Sequence, residues 1–188
     1  MGPAADIVLI ILAVDFGSGL LHWLEDSYGD PAWPVIGHFV IEPNLHHHRR
    51  PADMTKHNWF MTSRVLLALG AVVISLAWAV GALSWQLCFF VAIGINTNQI
   101  HKWNHLPRRG RGPILRALHR LRLLQTPEHH CRHHRGGLDT HYCVVTNILN
   151  PVLDRAGFWR GLELGLSVLF GATKRLDPAI LARAYSQS

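Results

Sequence analysis

Fourteen histidines stand among 188 residues, and several recur at spacings that bring two imidazoles to one metal ion. Neutral imidazole is the commonest metal ligand in proteins. His101 and His105 are four residues apart, so a helix projects both from one face. In a helical segment His130, His133 and His134 share a face in the same way. His22 and Asp26 repeat the spacing, and Asp15, Ser18, His22 and Asp26 lie near one stripe. The zinc-protease motif uses this geometry too, but its Glu beside the first His is absent here. His22, His47, His48, His57, His101, His105, His130, His133 and His134 make nine candidate ligands, with Asp26 a tenth as ligand or orienting group. One zinc ion takes about four ligands. This donor set suits two ions, and imidazole suits iron, zinc or copper. Asp15 is expected behind the ligands, holding one imidazole by its far nitrogen. His38, His46, His119 and His141 fall outside the paired spacings and read as solvated or structural, while His129 adjoins a better-placed neighbour.

The elements that position these residues read as membrane helices. The chain is 49% hydrophobic and only 16% charged, against about a quarter charged in ordinary soluble domains. Residues 65–100 contain no Asp, Glu, Lys, Arg or His. One bilayer crossing needs about 20 apolar residues. The stretch therefore predicts two spans, 65–82 and 84–100, with a turn near Gly81–Ser84. Residues 7–24 predict a third span that carries Asp15, Ser18 and His22. An Asp at mid-membrane costs roughly 2.5–3.5 kcal/mol on insertion scales, so it is expected to face protein or water. No basic region and no cleavage site mark this segment as a signal peptide. Gly17 and Gly19 read as sites of close helix packing.

Charge orients the spans. Residues 101–188 carry 14 Lys+Arg against 5 Asp+Glu, whereas residues 1–6 carry no basic residue. Positive loops stay inside, which places loop 25–64 and tail 101–188 in the cytoplasm. All the candidate ligands then gather on that side. Residues 114–124 and 158–173 are amphipathic and suit either the headgroup layer or a cytoplasmic packing surface. Arg49, Arg50, Arg108, Arg109 and Arg111 are candidates to meet a lipid phosphate. The net charge of +6 suits an anionic membrane surface, and no nucleic-acid-binding motif is present. Three cysteines exclude a disulfide scaffold. The expected architecture is all-α, an integral membrane protein of about three transmembrane helices under a cytoplasmic His-rich helical cap. Two ions beside an apolar interior suggest oxygen chemistry on a lipid chain.

The ordered segments DFGSGLLHWLEDSYGD, HHRRP, NQIHKWNH, HHCRHH and YCVVTNILNPVLD resemble the lipid desaturase family, which includes plasmanylethanolamine desaturases and plastid phosphatidylglycerol trans-desaturases. The resemblance implies a single lipid desaturase domain over 1–188. It implies two iron ions, cycling between Fe2+ and Fe3+, with O2 as co-substrate. The implied reaction puts a double bond into a lipid chain, either plasmanyl ether lipid to plasmalogen or a phospholipid acyl chain. Family His positions fall on His22, His47, His48, His101, His105, His130, His133 and His134, and His57 matches the plasmanyl-type pattern. The chain has no GxGxxG and no haem motif, so electrons are expected from a separate cytochrome or ferredoxin-type donor. A di-iron lipid hydroxylase would share the site. A membrane metal transporter or sensor is the alternative of another class, but it should place ligands at mid-membrane.

Overall fold

The computed structural model describes residues 2–135 and 138–175, and the last part of the expected tail, 176–188, lies outside them. Among the described residues every regular element is helical. In chain order these are α1 (Pro3–Ser27), α2 (Glu42–Arg49), α3 (Trp59–Ala79), α4 (Trp85–Gly94), α5 (Thr97–His105), α6 (Pro113–Arg120), α7 (Pro127–Arg135), α8 (Leu149–Arg155) and α9 (Phe158–Phe170). A π-helical turn, Gly37–Ile41, leads into α2, and a 3-10 turn, Pro51–Lys56, follows it.

Two helices, α1 and α3, are long and apolar enough to cross a membrane. Both carry large apolar side chains on the outside, including Val8 and Leu9 on α1 and Leu69, Val72 and Leu76 on α3. Such a surface would be costly in water. Asn58 caps α3 by accepting the Met61 N–H at 2.9 Å. The chain then reverses at Gly81, whose φ of +70° is the left-handed conformation a glycine adopts freely. Ser84 caps α4 through the Leu87 N–H.

The expected span 84–100 is not one helix. It breaks at Ile95–Asn96 into the ten-residue α4 and the polar α5. Hydrogen bonding at the junction explains the break. The Asn96 amide donates to the Ala92 carbonyl at 2.9 Å, and the Thr97 hydroxyl donates to the Gly94 carbonyl at 2.9 Å. Both side chains satisfy carbonyls locally and compete with the helical ladder. A ten-residue helix rises about 15 Å, half of a bilayer core. α4 packs against α1 and α3, and α5 packs against α3 and α7.

The interior is organised around a strap without regular secondary structure, residues 140–146. Val144 and Val145 pack with Val14 and Ile100, while Tyr142 and Cys143 pack with Trp23 and Trp159. Gly19 lets the strap touch α1, because a Cβ there would lie 2.6 Å from Cys143 Sγ. Gly17 has no such neighbour. Arg175 returns to the end of α1 and donates to the carbonyls of Glu25, Asp26 and Gly29. It satisfies helix-end acceptors that have no partner within the helix.

Candidate metal centre

Four helices bring their polar ends to one place. α1 supplies His22 and Asp26, α2 supplies His47 and His48, α5 supplies His101 and His105, and α7 supplies His130, His133 and His134. Their donor atoms form two groups. His47, His101, His105, His130 and His134 make the first, and His22, Asp26, His48 and His133 the second. Within each group the donors lie within 4.8 Å of one another. The groups adjoin, since the His22 ring lies 5.3 Å from the His101 ring.

The five-histidine group cannot be satisfied by hydrogen bonds among its own members. His130 Nε2 lies 2.9 Å from His101 Nε2 and from His105 Nε2, and 3.1 Å from His134 Nε2. His47 Nε2 lies 3.2 Å from His134 Nε2. A neutral ring nitrogen has either one N–H or one lone pair, so His130 Nε2 can bond only one of its three neighbours well. Five lone pairs turned toward one cation remove the conflict. Burial pushes His47, His101 and His130 well below the ordinary imidazole value, and neighbouring histidines push the same way. His105 is lowered to about 3 and His134 to about 2, again mainly by burial. The rings are therefore held neutral, as ligation requires.

The second group is oriented from behind by the strap. His22 Nδ1 donates to the Tyr142 carbonyl at 3.0 Å, and His133 Nδ1 donates to the Thr140 carbonyl at 2.7 Å. Each bond fixes the tautomer and leaves the Nε2 lone pair facing inward. Asp26 Oδ1 accepts from Asn44 Nδ2 at 2.6 Å and lies 2.8 Å from His48 Nε2. His22 Nε2, His133 Nε2 and Asp26 Oδ2 are buried, without a well-formed hydrogen bond among the described residues. Three inward nitrogens and one carboxylate oxygen fit a transition-metal ion.

Of the ten candidate ligands, nine come together in these groups and His57 does not. His57 is exposed in extended backbone after the 3-10 turn, and its carbonyl accepts from Lys102 Nζ at 3.0 Å. Asp15 also differs from expectation. It touches no imidazole; its carboxylate accepts the Val145 N–H at 2.8 Å and the Thr146 hydroxyl. It anchors the strap, and the strap holds the imidazoles. His38 and His46 pair with Glu42 and Asp53 at the surface. His129 lies against Asn150 Nδ2, and His141 pairs with Asp154.

Several supporting residues carried no signal in the ligand spacing. Gln125 donates to the Cys143 carbonyl and accepts from Asn104 Nδ2 at 3.0 Å, tying the strap to α5. Asn150 brackets Cys143 from the other side, accepting its N–H at 2.9 Å and donating to its carbonyl at 2.8 Å. Gln125 and Asn150 are buried, as expected of side chains that substitute for backbone pairing.

A lipid desaturase domain matches residues 10–177, nearly the whole of the described chain. The chain belongs to the lipid desaturase family. It is 32% identical to mouse plasmanylethanolamine desaturase 1 over 185 residues, covering 91% of this chain and 67% of that protein. It is 29% identical to the plasmanylethanolamine desaturase of Myxococcus xanthus, covering 91% of this chain and 63% of the relative. It is 30% identical to the chloroplastic fatty acid desaturase 4-like 2 of Arabidopsis thaliana, covering 87% and 60%. The chain thus spans about two thirds or less of the length of these relatives. No solved structure matches it.

Proposed function

We propose that this family member is a membrane oxidoreductase that removes two hydrogens from adjacent carbons of a lipid chain at a pair of iron ions. The observation that carries the reading is the pair of adjoining donor groups, five nitrogens in one and three nitrogens with a carboxylate in the other. The names of the relatives, plasmanylethanolamine desaturase and fatty acid desaturase, supply the reaction class. His47, His101, His105, His130 and His134 would hold one ion, and His22, Asp26, His48 and His133 the other. When bound, the two irons supply the activation of O2.

The overall change balances as follows. One CH2–CH2 unit loses two hydrogens and two electrons and becomes CH=CH. O2 takes these with two further electrons and two protons and leaves as two waters. The further electrons come from a separate donor of cytochrome or ferredoxin type. The chain's own residues hold the imidazoles neutral, fix the tautomers of His22 and His133, and keep the donors buried. α1 and α3 cross the bilayer, and α4 reaches half-way between them. This leaves the donor groups at the cytoplasmic ends of the helices, where a lipid chain can approach from the apolar side. The substrate is a membrane lipid, either an ether lipid converted to a vinyl ether or a phospholipid acyl chain.

Cells with and without the chain should differ by a lipid lacking two hydrogens. Protein purified without oxygen should hold about two irons per chain. An oxygenated product would instead indicate hydroxylation, and a single zinc with no iron would overturn the di-iron reading.

A further inference from the structure

Beside the donor groups lies a cleft of about 370 Å3 that they do not use. It is lined by Arg108, Arg111, Arg116, His119, Arg120 and Glu128, among others. Arg108 follows α5, which carries His101 and His105, and Glu128 opens α7, which carries His130 and His134. The cleft is therefore bounded by the segment that follows α5, by α6 and by the first turn of α7, so that it adjoins two of the three helices that supply the five-histidine group. Arg116, His119 and Arg120 stand three and four residues apart on α6 and share one face. Among the described residues none of the four arginines has a carboxylate within ion-pair distance. Arg111 is held in place by donating from Nε to the Leu106 carbonyl at 2.9 Å. Its terminal nitrogens remain available.

His119 lies buried among these arginines. It is 8% exposed, lines the cleft, and has no partner for either ring nitrogen among the described residues. A buried imidazole without hydrogen bonds is costly. An anion in the cleft would accept its N–H and also offset the mutual repulsion of the guanidinium groups. Phosphate suits this donor set because guanidinium groups grip its oxygens in pairs.

The other side of α6 decides the source of the phosphate. Ile114 and Leu121 are exposed there, and Leu123 follows them. A short helix with an apolar side and a cationic side lies naturally at a membrane surface. We propose that the cleft binds the phosphate of a membrane phospholipid. On the desaturase reading that lipid is the substrate, and the site fixes how far its chain reaches toward the donor groups.

The full chain in neutral detergent micelles can be titrated with phosphatidic acid, diacylglycerol of the same chains, and inorganic phosphate. Bound lipid is counted by native mass spectrometry. Phosphatidic acid should bind saturably, at least tenfold tighter than diacylglycerol and than inorganic phosphate. Arg116→Gln/Arg120→Gln should lose at least tenfold in affinity for phosphatidic acid with unchanged circular dichroism, since both residues are exposed. His119→Phe should lose affinity too. Equal binding of inorganic phosphate would overturn the lipid assignment. So would a double variant that keeps the lipid but no longer captures a polyglutamate peptide, which would mark an acidic protein surface as the partner. Neither metal content nor turnover enters this measurement, so failure of the desaturase reading would show separately in the product analysis.

Discussion

Replacing Asp15 should disable one donor group and spare the other. The Asp15 carboxylate holds the strap by the Val145 N–H and the Thr146 hydroxyl, and it is fully buried. The strap carbonyls of Tyr142 and Thr140 orient His22 and His133. Both imidazoles belong to the second group and neither to the first. Asp15→Ala would remove two hydrogen bonds to a charged acceptor, each worth about 1.5–3 kcal/mol. That loss of about 3–6 kcal/mol is large against a typical stability of 5–15 kcal/mol, so the variant risks unfolding. Asp15→Asn is more informative. Its carbonyl keeps the Val145 N–H, but its NH2 now faces Thr146 Oγ1 and cannot accept the hydroxyl's proton. One charge-assisted bond is lost, about 1.5–3 kcal/mol. The outer partners of the imidazoles are the strap carbonyls, whose loss typically weakens metal affinity about 10–100-fold, so that factor bounds the effect of loosening the strap. Anaerobic iron titration of metal-free Asp15→Asn should therefore show one site of near-normal affinity and one weakened by that factor. Two equally weakened sites, or two unchanged ones, would refute the strap as a selective support.

Three further outcomes follow from the same geometry. His57→Ala should retain both ions and activity, whereas His105→Ala should lose activity and one ion while still inserting in the membrane; metal analysis and product assays separate the two. Gly19→Ala places a methyl group 2.6 Å from Cys143 Sγ, and overpacking of this kind typically costs about 1–3 kcal/mol, readable as a lowered unfolding temperature. Burial lowers His105 to about 3 and pushes His47, His101 and His130 down as well. Between that range and the unfolded value of about 6.5, the unfolded chain binds more protons. The stability of metal-free protein should thus be intact above about pH 6.5 and fall as pH drops toward 3, with bound metal deepening the contrast. A flat unfolding profile across that window would contradict the buried, neutral assignment.

The candidate ligands were legible because their signal is local. Four-residue spacing on a helix survives whatever the tertiary fold does, so His101 with His105 and His22 with Asp26 could be read directly. The support was not legible, because it comes from backbone carbonyls at Thr140 and Tyr142, which any residue type supplies. Asp15 was visible as a buried acid but not its partner, since the strap lies 130 residues away in the chain. His57 shows the opposite failure. It is a histidine near other histidines in sequence, yet the turn Pro51–Lys56 carries it out to solvent. The broken third span was hidden because Asn96 and Thr97 are uncharged, and a scan for charge passes over them although their side chains bond the helix carbonyls.

Neighbouring histidines explain why there are two donor groups and not one crowded site. Successive residues of an α-helix point about 100° apart, whereas residues four apart nearly coincide. His47 and His48 on α2 therefore cannot serve the same ion easily, and they fall into different groups. On α7, His130 and His134 enter the first group, while the intervening His133 enters the second. α1 serves only the second group and α5 only the first. The two helices with adjacent histidines thus lie across both groups and fix their separation. The rings of His47 and His48 are 5.4 Å apart, and those of His133 and His134 are 5.5 Å apart. The two groups therefore share backbone on α2 and again on α7, which ties one group to the other at two places. The strap adds a third restraint, fixing the rings of His22 on α1 and His133 on α7 within the second group.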